Sequence, residues 1–187
     1  MSSRRDVAAW CLYDFANTIF SMNVVSLYFP LWVTADLGGG DLWVSLANSG
    51  SMAFVALSLP LLGVQADHGR RRRLFLVAFT AASCAATAVI GLGGRVSVAV
   101  AVAAFMVANY AYQGGLVFYN ALLPAVAEPG QVGRISGYGV ALGYVGAIGG
   151  MLVVLPFNTG TLFGWPVPGL AGGGREATFL PTAVLFA

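Results

Sequence analysis

The chain of 187 residues carries nine basic and seven acidic side chains, 9% of its length, where a soluble domain carries roughly a quarter. With 58% apolar residues, 25 glycines and a mean hydropathy of +0.82, it is excluded from the disordered, coiled-coil and collagen classes and from nearly every soluble enzyme, and it reads as an integral membrane protein. The net charge of +2 is no nucleic-acid signal, because every basic residue is an arginine and most sit in two clusters.

A hydrocarbon core of about 30 Å takes about 20 apolar residues per helix, so the charges and turn residues cut the chain into spans. The first runs from Val7 to Val33 and ends in the turn Ala35 to Asp41, with three glycines and two acids. The second covers Leu42 to Val64 and stops at Asp67 and the block Arg70 to Arg73. The third covers Leu74 to Leu92, and Gly93-Gly94-Arg95 parts it from a long fourth, Val96 to Pro124, which ends in Glu128-Pro129-Gly130. A fifth spans Ser136 to Pro156. The Gly/Pro-rich stretch from Phe157 to Arg175 is too broken to cross, and a sixth helix starts near Ala177 and runs to Ala187. That last piece is about 17 Å long at about 1.5 Å per residue, too short to cross, so the chain reads as the N-terminal piece of a longer protein, with a re-entrant end as the alternative. Backbone groups in lipid must be satisfied internally, and runs of this length do so as helices.

Arg4, Arg5, Arg70 to Arg73 and Arg134 fall on one side of these spans, Arg95 and Arg175 on the other. The positive-inside bias places the N-terminus in the cytoplasm and the Asp36 turn outside. The first span is interrupted by Asp14 and Asn17 and lacks a cleavage site, unlike a signal peptide. Cys11 and Cys84 lie inside spans with no metal or redox spacing, and no cofactor or metal is expected.

Ionisable groups inside spans are expensive and mark function by default. Asp14 is the only acid within one, and Asn17, Thr18 and Ser21, at offsets of 3, 4 and 7, share its face, with Tyr28 extending the stripe. Asp14 is either a structural hydrogen-bonding group near the cytoplasmic interface or a coupling and substrate group that takes and releases a proton. In the fourth span Asn109, Gln113 and Asn120 fall within about 40° of one another at about 100° per residue. Such amides serve as interhelical glue or as a face for a zwitterionic or hydroxylated solute, and are expected to point inward. Gly139, Gly143, Gly146 and Gly150 make a smooth face on the fifth span, with Gly137 and Gly149 beside it, suited to close packing or to sliding against a neighbour. Between spans two and three, Asp67 can interact with the start of the third helix while the arginines hold partner carboxylates or helix ends. The alternative is a plain topology anchor. The lone His68 receives no role.

That loop, Gly63-Val64-Gln65-Ala66-Asp67-His68-Gly69-Arg70-Arg71-Arg72-Arg73, resembles the signature between helices two and three of the major facilitator superfamily, with one residue rather than two between the aspartate and the glycine. Trp10-Cys11-Leu12-Tyr13-Asp14-Phe15-Ala16-Asn17-Thr18-Ile19-Phe20 resembles the first-helix motif of the branch of autophagy-related vacuolar amino-acid effluxers and their bacterial relatives. Phe118-Tyr119-Asn120-Ala121-Leu122-Leu123-Pro124 and Arg134-Ile135-Ser136-Gly137-Tyr138-Gly139-Val140-Ala141-Leu142-Gly143-Tyr144 are similar to that branch's fourth and fifth helices. The resemblance implies an all-α integral membrane fold: the N-terminal six-helix half of a twelve-span transporter, its sixth helix truncated, with the substrate path between two halves. It implies a multi-pass cell-membrane protein that moves a small solute, neutral amino acids being the class known in the branch. Where the antiporter motif of the superfamily has its proline stands Gly146, so antiport is not implied.

The expected function is therefore secondary active transport by alternating access, without covalent chemistry. Asp14, Asn17, Asn109, Gln113 and Asn120 are candidates to face the path. Gly63, Asp67, Gly69, Arg71 and Arg72 form a candidate cytoplasmic latch, and Gly139, Gly143, Gly146 and Gly150 a packing face. Expected partners are the small-molecule substrate, a proton as candidate coupling ion, the bilayer and the C-terminal half; nucleic acid is not among them. A membrane enzyme lacks its cluster of catalytic residues here, and a non-transporting scaffold or assembly protein is the remaining alternative.

Overall fold

The computed structural model describes residues 4–68, 71–92 and 97–187. Among them, five helices are long and apolar enough to cross a membrane: α1 (Arg4–Asp36), α2 (Asp41–His68), α3 (Arg72–Leu92), α4 (Val98–Val126) and α5 (Val132–Thr159). A two-stranded antiparallel hairpin follows, β1 (Thr161–Leu162) and β2 (Trp165–Pro166), with Leu162 opposite Trp165. A 3₁₀ turn (Arg175–Thr178) then leads into the short helix α6 (Phe179–Phe186).

The helices run past the boundaries that hydropathy marks. α1 begins at Arg4 and continues to Asp36 rather than covering 7–33, α2 carries Asp67 within its last turn, and α5 starts at Val132 and ends at Thr159. Hydropathy registers where the hydrocarbon begins, whereas backbone hydrogen bonding continues into the polar interface, where charged side chains are solvated. The bounds of α4 shift by two residues to Val98–Val126; Val96 lies outside the described residues. Ser97 caps α4 by accepting from the Val100 N–H at 3.4 Å. Gly160, in the left-handed region at φ 73°, closes α5 by donating to the Pro156 carbonyl at 2.8 Å.

α1 is not a uniform α-helix. Ser21–Tyr28 and Trp32–Asp36 are wound in π register, separated by Phe29–Leu31, and Pro30 between them has no N–H to give to the helix ladder. The Phe29 N–H reaches back five residues to the Val24 carbonyl, and the Leu37 N–H to that of Trp32. A π turn holds more residues than an α turn, so the face set by Asp14 does not extend in register to Tyr28, contrary to the regular-helix spacing.

Two packed groups make up the bundle. α1 lies along α5, while α4 packs on α2 and α3, and α3 in turn packs on α6. Stacked and edge-on aromatic rings join the groups: Phe29 on Phe105 at 3.8 Å, Phe20 on Tyr112 at 4.8 Å, and Trp32 against Phe179 at 5.3 Å. The core is therefore centred where α1, α4 and α6 meet. Polar bonds stitch the remaining seams, with Ser83 donating to the Ala108 carbonyl at 3.0 Å and Ser58 sharing a hydrogen bond with the Tyr110 hydroxyl at 2.9 Å.

Candidate functional site

Asp14 and Asn17 sit on the side of α1 that is pressed between α4 and α5. Asn17 is buried and Asp14 half-buried. Thr18 turns its hydroxyl back to the Asp14 main-chain carbonyl at 2.7 Å. Opposite stands Gly143, where a Cβ would lie 2.7 Å from Thr18 Oγ1 and 3.4 Å from Asp14 Oδ2. The absence of a side chain there lets two polar groups of α1 face α5. From α4, Tyr112 brings its hydroxyl beside Asn17 and Ser21. The Asp14 carboxylate accepts no hydrogen bond from any described residue. Asn17 Oδ1, both amide atoms of Asn23 and the Tyr28 hydroxyl are likewise buried without a hydrogen-bond partner among the described residues. Inside a bilayer such groups are costly unless they serve a pathway or a partner.

An aromatic layer closes this seam toward the N-terminal end of α1. Tyr119 is stacked between Trp10 at 4.4 Å and Tyr13 at 4.9 Å. Trp10 Nε1 donates to the Tyr119 carbonyl at 3.2 Å, and the Tyr13 hydroxyl is bonded to Thr80 on α3 at 2.9 Å. Three helices are fixed at one level.

The glycine face of α5 is turned to α1 along its whole length. A Cβ at Gly139 would meet the Trp10 ring at 2.6 Å, one at Gly150 the Ile19 side chain at 2.6 Å, and one at Gly146 would overlap the carbonyl group of Phe15. Gly137 and Gly149 point to open space.

The amides of α4 do not act together. Asn109 is buried against α2, where its Nδ2 donates to Ser51 Oγ at 2.7 Å and to Asn48 Oδ1 at 3.4 Å. Gln113 is half-buried, and Asn120 is exposed rather than inward-pointing. It lies one turn before Pro124, in the last stretch of α4. Interhelical amide bonds in membranes contribute about 0.6 to 2 kcal/mol. Asn109→Leu is expected to lower unfolding stability in detergent by about 1 kcal/mol, with the loss reduced when Ser51→Ala is already present and only the longer bond to Asn48 remains; a melting cycle on the four proteins measures it.

At the arginine-rich end, Arg72, the first residue of α3, pairs its Nε with Asp67 Oδ1 at 2.7 Å and donates from Nη1 to the Ala121 carbonyl at 2.8 Å. Pro124 removes the N–H that would have bonded to the Asn120 carbonyl, one residue before the carbonyl that Arg72 takes. The Asp67 carboxylate therefore sits at the start of α3, and Arg72 ties α2, α3 and α4 together. Arg71 is exposed, its N–H donating to the Ala66 carbonyl at 2.9 Å, while Gly63 faces open space on α2. Gly69 lies outside the described residues. Arg73, absent from the sequence-based latch, points the other way and approaches Asp6 at 3.8 Å. At the opposite end of α1, Asp36 pairs with Arg175 beside a polar cavity of about 890 Å³ that Glu176 and Asn158 also line. Neither the Arg73 nor the Arg175 pair has a sequence signal beyond opposite charges on the same side of the spans.

Exposed ion pairs contribute about 1 kcal/mol or less. Asp67→Asn is accordingly expected to raise thiol labelling of a cysteine placed at Leu122 by up to about fivefold. Unchanged labelling would reduce the loop to a topology anchor.

Residues 43–132 match the family model described as vacuole effluxer Atg22 like. The chain is 28% identical over 148 residues to the uncharacterized MFS-type transporter YxiO of Bacillus subtilis (strain 168), covering 74% of this chain and 34% of that protein. It is 31% identical over 140 residues to an uncharacterized protein of Aquifex aeolicus (strain VF5), covering 74% and 35% respectively. The chain thus spans about a third of the length of the curated relatives it matches. No solved structure matches it. Multi-pass membrane architecture and sequence agree: the chain has five helices able to cross a membrane, and through residues 43–132 it is similar to the vacuole effluxer Atg22-like family, with an MFS-type transporter among its relatives.

Proposed function

We propose that the chain forms the N-terminal six-helix half of a secondary transporter that moves a small solute by alternating access, with α6 as the start of its sixth span. The carrying observation is the polar side of α1, where the half-buried Asp14 carboxylate faces Gly143 and accepts no hydrogen bond from a described residue, and the buried Asn17 beside Tyr112 leaves its Oδ1 without a hydrogen-bond partner among the described residues. A solute with donor groups, neutral amino acids being the class the family resemblance points to, would be held by Asn17 and Asp14, with the half-buried Gln113 as the α4 candidate facing the same path. The C-terminal half would supply the other wall, and the smooth contact between α1 and α5 would let the helices rock together. In this reading the arginine-rich face is cytoplasmic and the protein resides in the cell membrane. Asp67 and Arg72 latch the cytoplasmic side in one state. Asp14 is the proton-coupling group. Solute flux in proteoliposomes made with the intact protein tests the proposal, and a protein that supports no pH-gradient-driven flux of any neutral amino acid or other small solute would refute it.

A further inference from the structure

The segment that joins α5 to α6 is unlike an aqueous loop. No charged residue occurs from Phe157 to Gly174, and its hairpin presents the two most exposed aromatic side chains of the described structure, Phe163 at 76% and Trp165 at 78%. The turn between β1 and β2 consists of Phe163 at φ 51° and Gly164 at φ 85°. A two-residue hairpin with both turn residues in the left-handed region favours Asn-Gly, and a bulky aromatic there is strained. Stability of the isolated turn would select against Phe163, so an ordering influence outside the turn is required. Within the described residues its ring is open to the surroundings.

The hairpin is also held at a particular height. α5 has 28 residues, about 42 Å of helix against a hydrocarbon core of about 30 Å, so its ends reach the headgroup layer. The loop folds back on that end: the N–H groups of Gly173, Gly174 and Val167 donate to the carbonyls of Phe157, Asn158 and Gly160 at 2.8, 3.1 and 2.9 Å. The tip cannot stand far off in water. Aromatic side chains are enriched at this depth because the ring prefers the acyl boundary and the indole N–H prefers the headgroups.

We infer that the β1–β2 hairpin is a membrane-interface anchor, with Phe163 and Trp165 inserted at the boundary between headgroups and acyl chains of the leaflet next to the end of α5. The partner is the zwitterionic lipid surface itself, since the segment offers no charge for an anionic headgroup. The anchor would fix the height of α5 and of the strap leading to Arg175.

The test uses the intact protein in phosphatidylcholine vesicles and reads the tryptophan fluorescence that disappears in Trp165→Tyr, which isolates the Trp165 signal from those of Trp10, Trp32 and Trp43. That signal is expected to be lost with phosphatidylcholine brominated near the headgroup end of its chains, and to resist aqueous iodide. Quenching by iodide at least equal to that by bromolipid would show a tip in water and overturn the proposal. Resistance to both quenchers would show a tip covered by another protein segment or a second copy and would overturn it equally. Phe163→Asn, which suits the turn and keeps the hairpin, is expected to shift Trp165 from bromolipid toward iodide quenching; an unchanged ratio would remove Phe163 from the anchor.

Discussion

Asp14→Asn in the intact protein is expected to lower pH-gradient-driven uptake into proteoliposomes by more than about tenfold, the effect of about 1.4 kcal/mol or more on the coupled step, while leaving the melting temperature in detergent unchanged or higher. The second half of that expectation follows from the surroundings of the carboxylate. It accepts no hydrogen bond from a described residue, and placing an acid in a span costs about 2.5 to 3.5 kcal/mol on insertion scales. Its removal therefore takes away a cost and no bond. A structural carboxylate would behave in the opposite way, its loss lowering the melting temperature and reducing uptake only in proportion to the folded fraction. Unchanged uptake would end the coupling assignment for Asp14 and leave the transport reading to Asn17 and the rest of the path.

Gly146→Ala is expected to destabilise the bundle by about 2 to 3 kcal/mol, at the upper end of what overpacking costs, because its added carbon would overlap the Phe15 main-chain carbonyl rather than a side chain that can turn aside. Gly149→Ala, one turn on and facing open space, serves as the paired control. It is expected to be neutral or to stabilise by up to about 1 kcal/mol, the helix-propensity gain over glycine. Thermal unfolding of both variants in the same detergent checks the pair. Equal behaviour would mean that α1 and α5 are not in backbone contact at this level.

Much of the architecture was legible because lipid imposes few choices. Acids, arginines and glycines parted the five long helices in the correct order, since each break needs residues that the hydrocarbon rejects. The spacing of Gly139, Gly143, Gly146 and Gly150 marks one face of a helix, although spacing alone does not name α1 as the neighbour. Other features had no signature to read. The apolar residues of Ser21–Tyr28 fit an α or a π turn equally well, so the drift of Tyr28 away from Asp14 is invisible to a pattern of offsets. Arg72 takes the Ala121 carbonyl, and a backbone acceptor looks the same at every residue. Asn109, Gln113 and Asn120 share an azimuth, but whether a face is covered depends on the neighbours at each height, and these differ along α4.

Both ends of α1 carry an acid paired to an arginine on another element, Asp6 to Arg73 on one side of the membrane and Asp36 to Arg175 on the other. The bilayer separates the two solutions that bathe these pairs, and ionic strength weakens only the charges it reaches, over about 10 Å at 0.1 M salt and about 3 Å at 1 M. Salt added to one compartment thus loosens one end of the helix and leaves the other tethered.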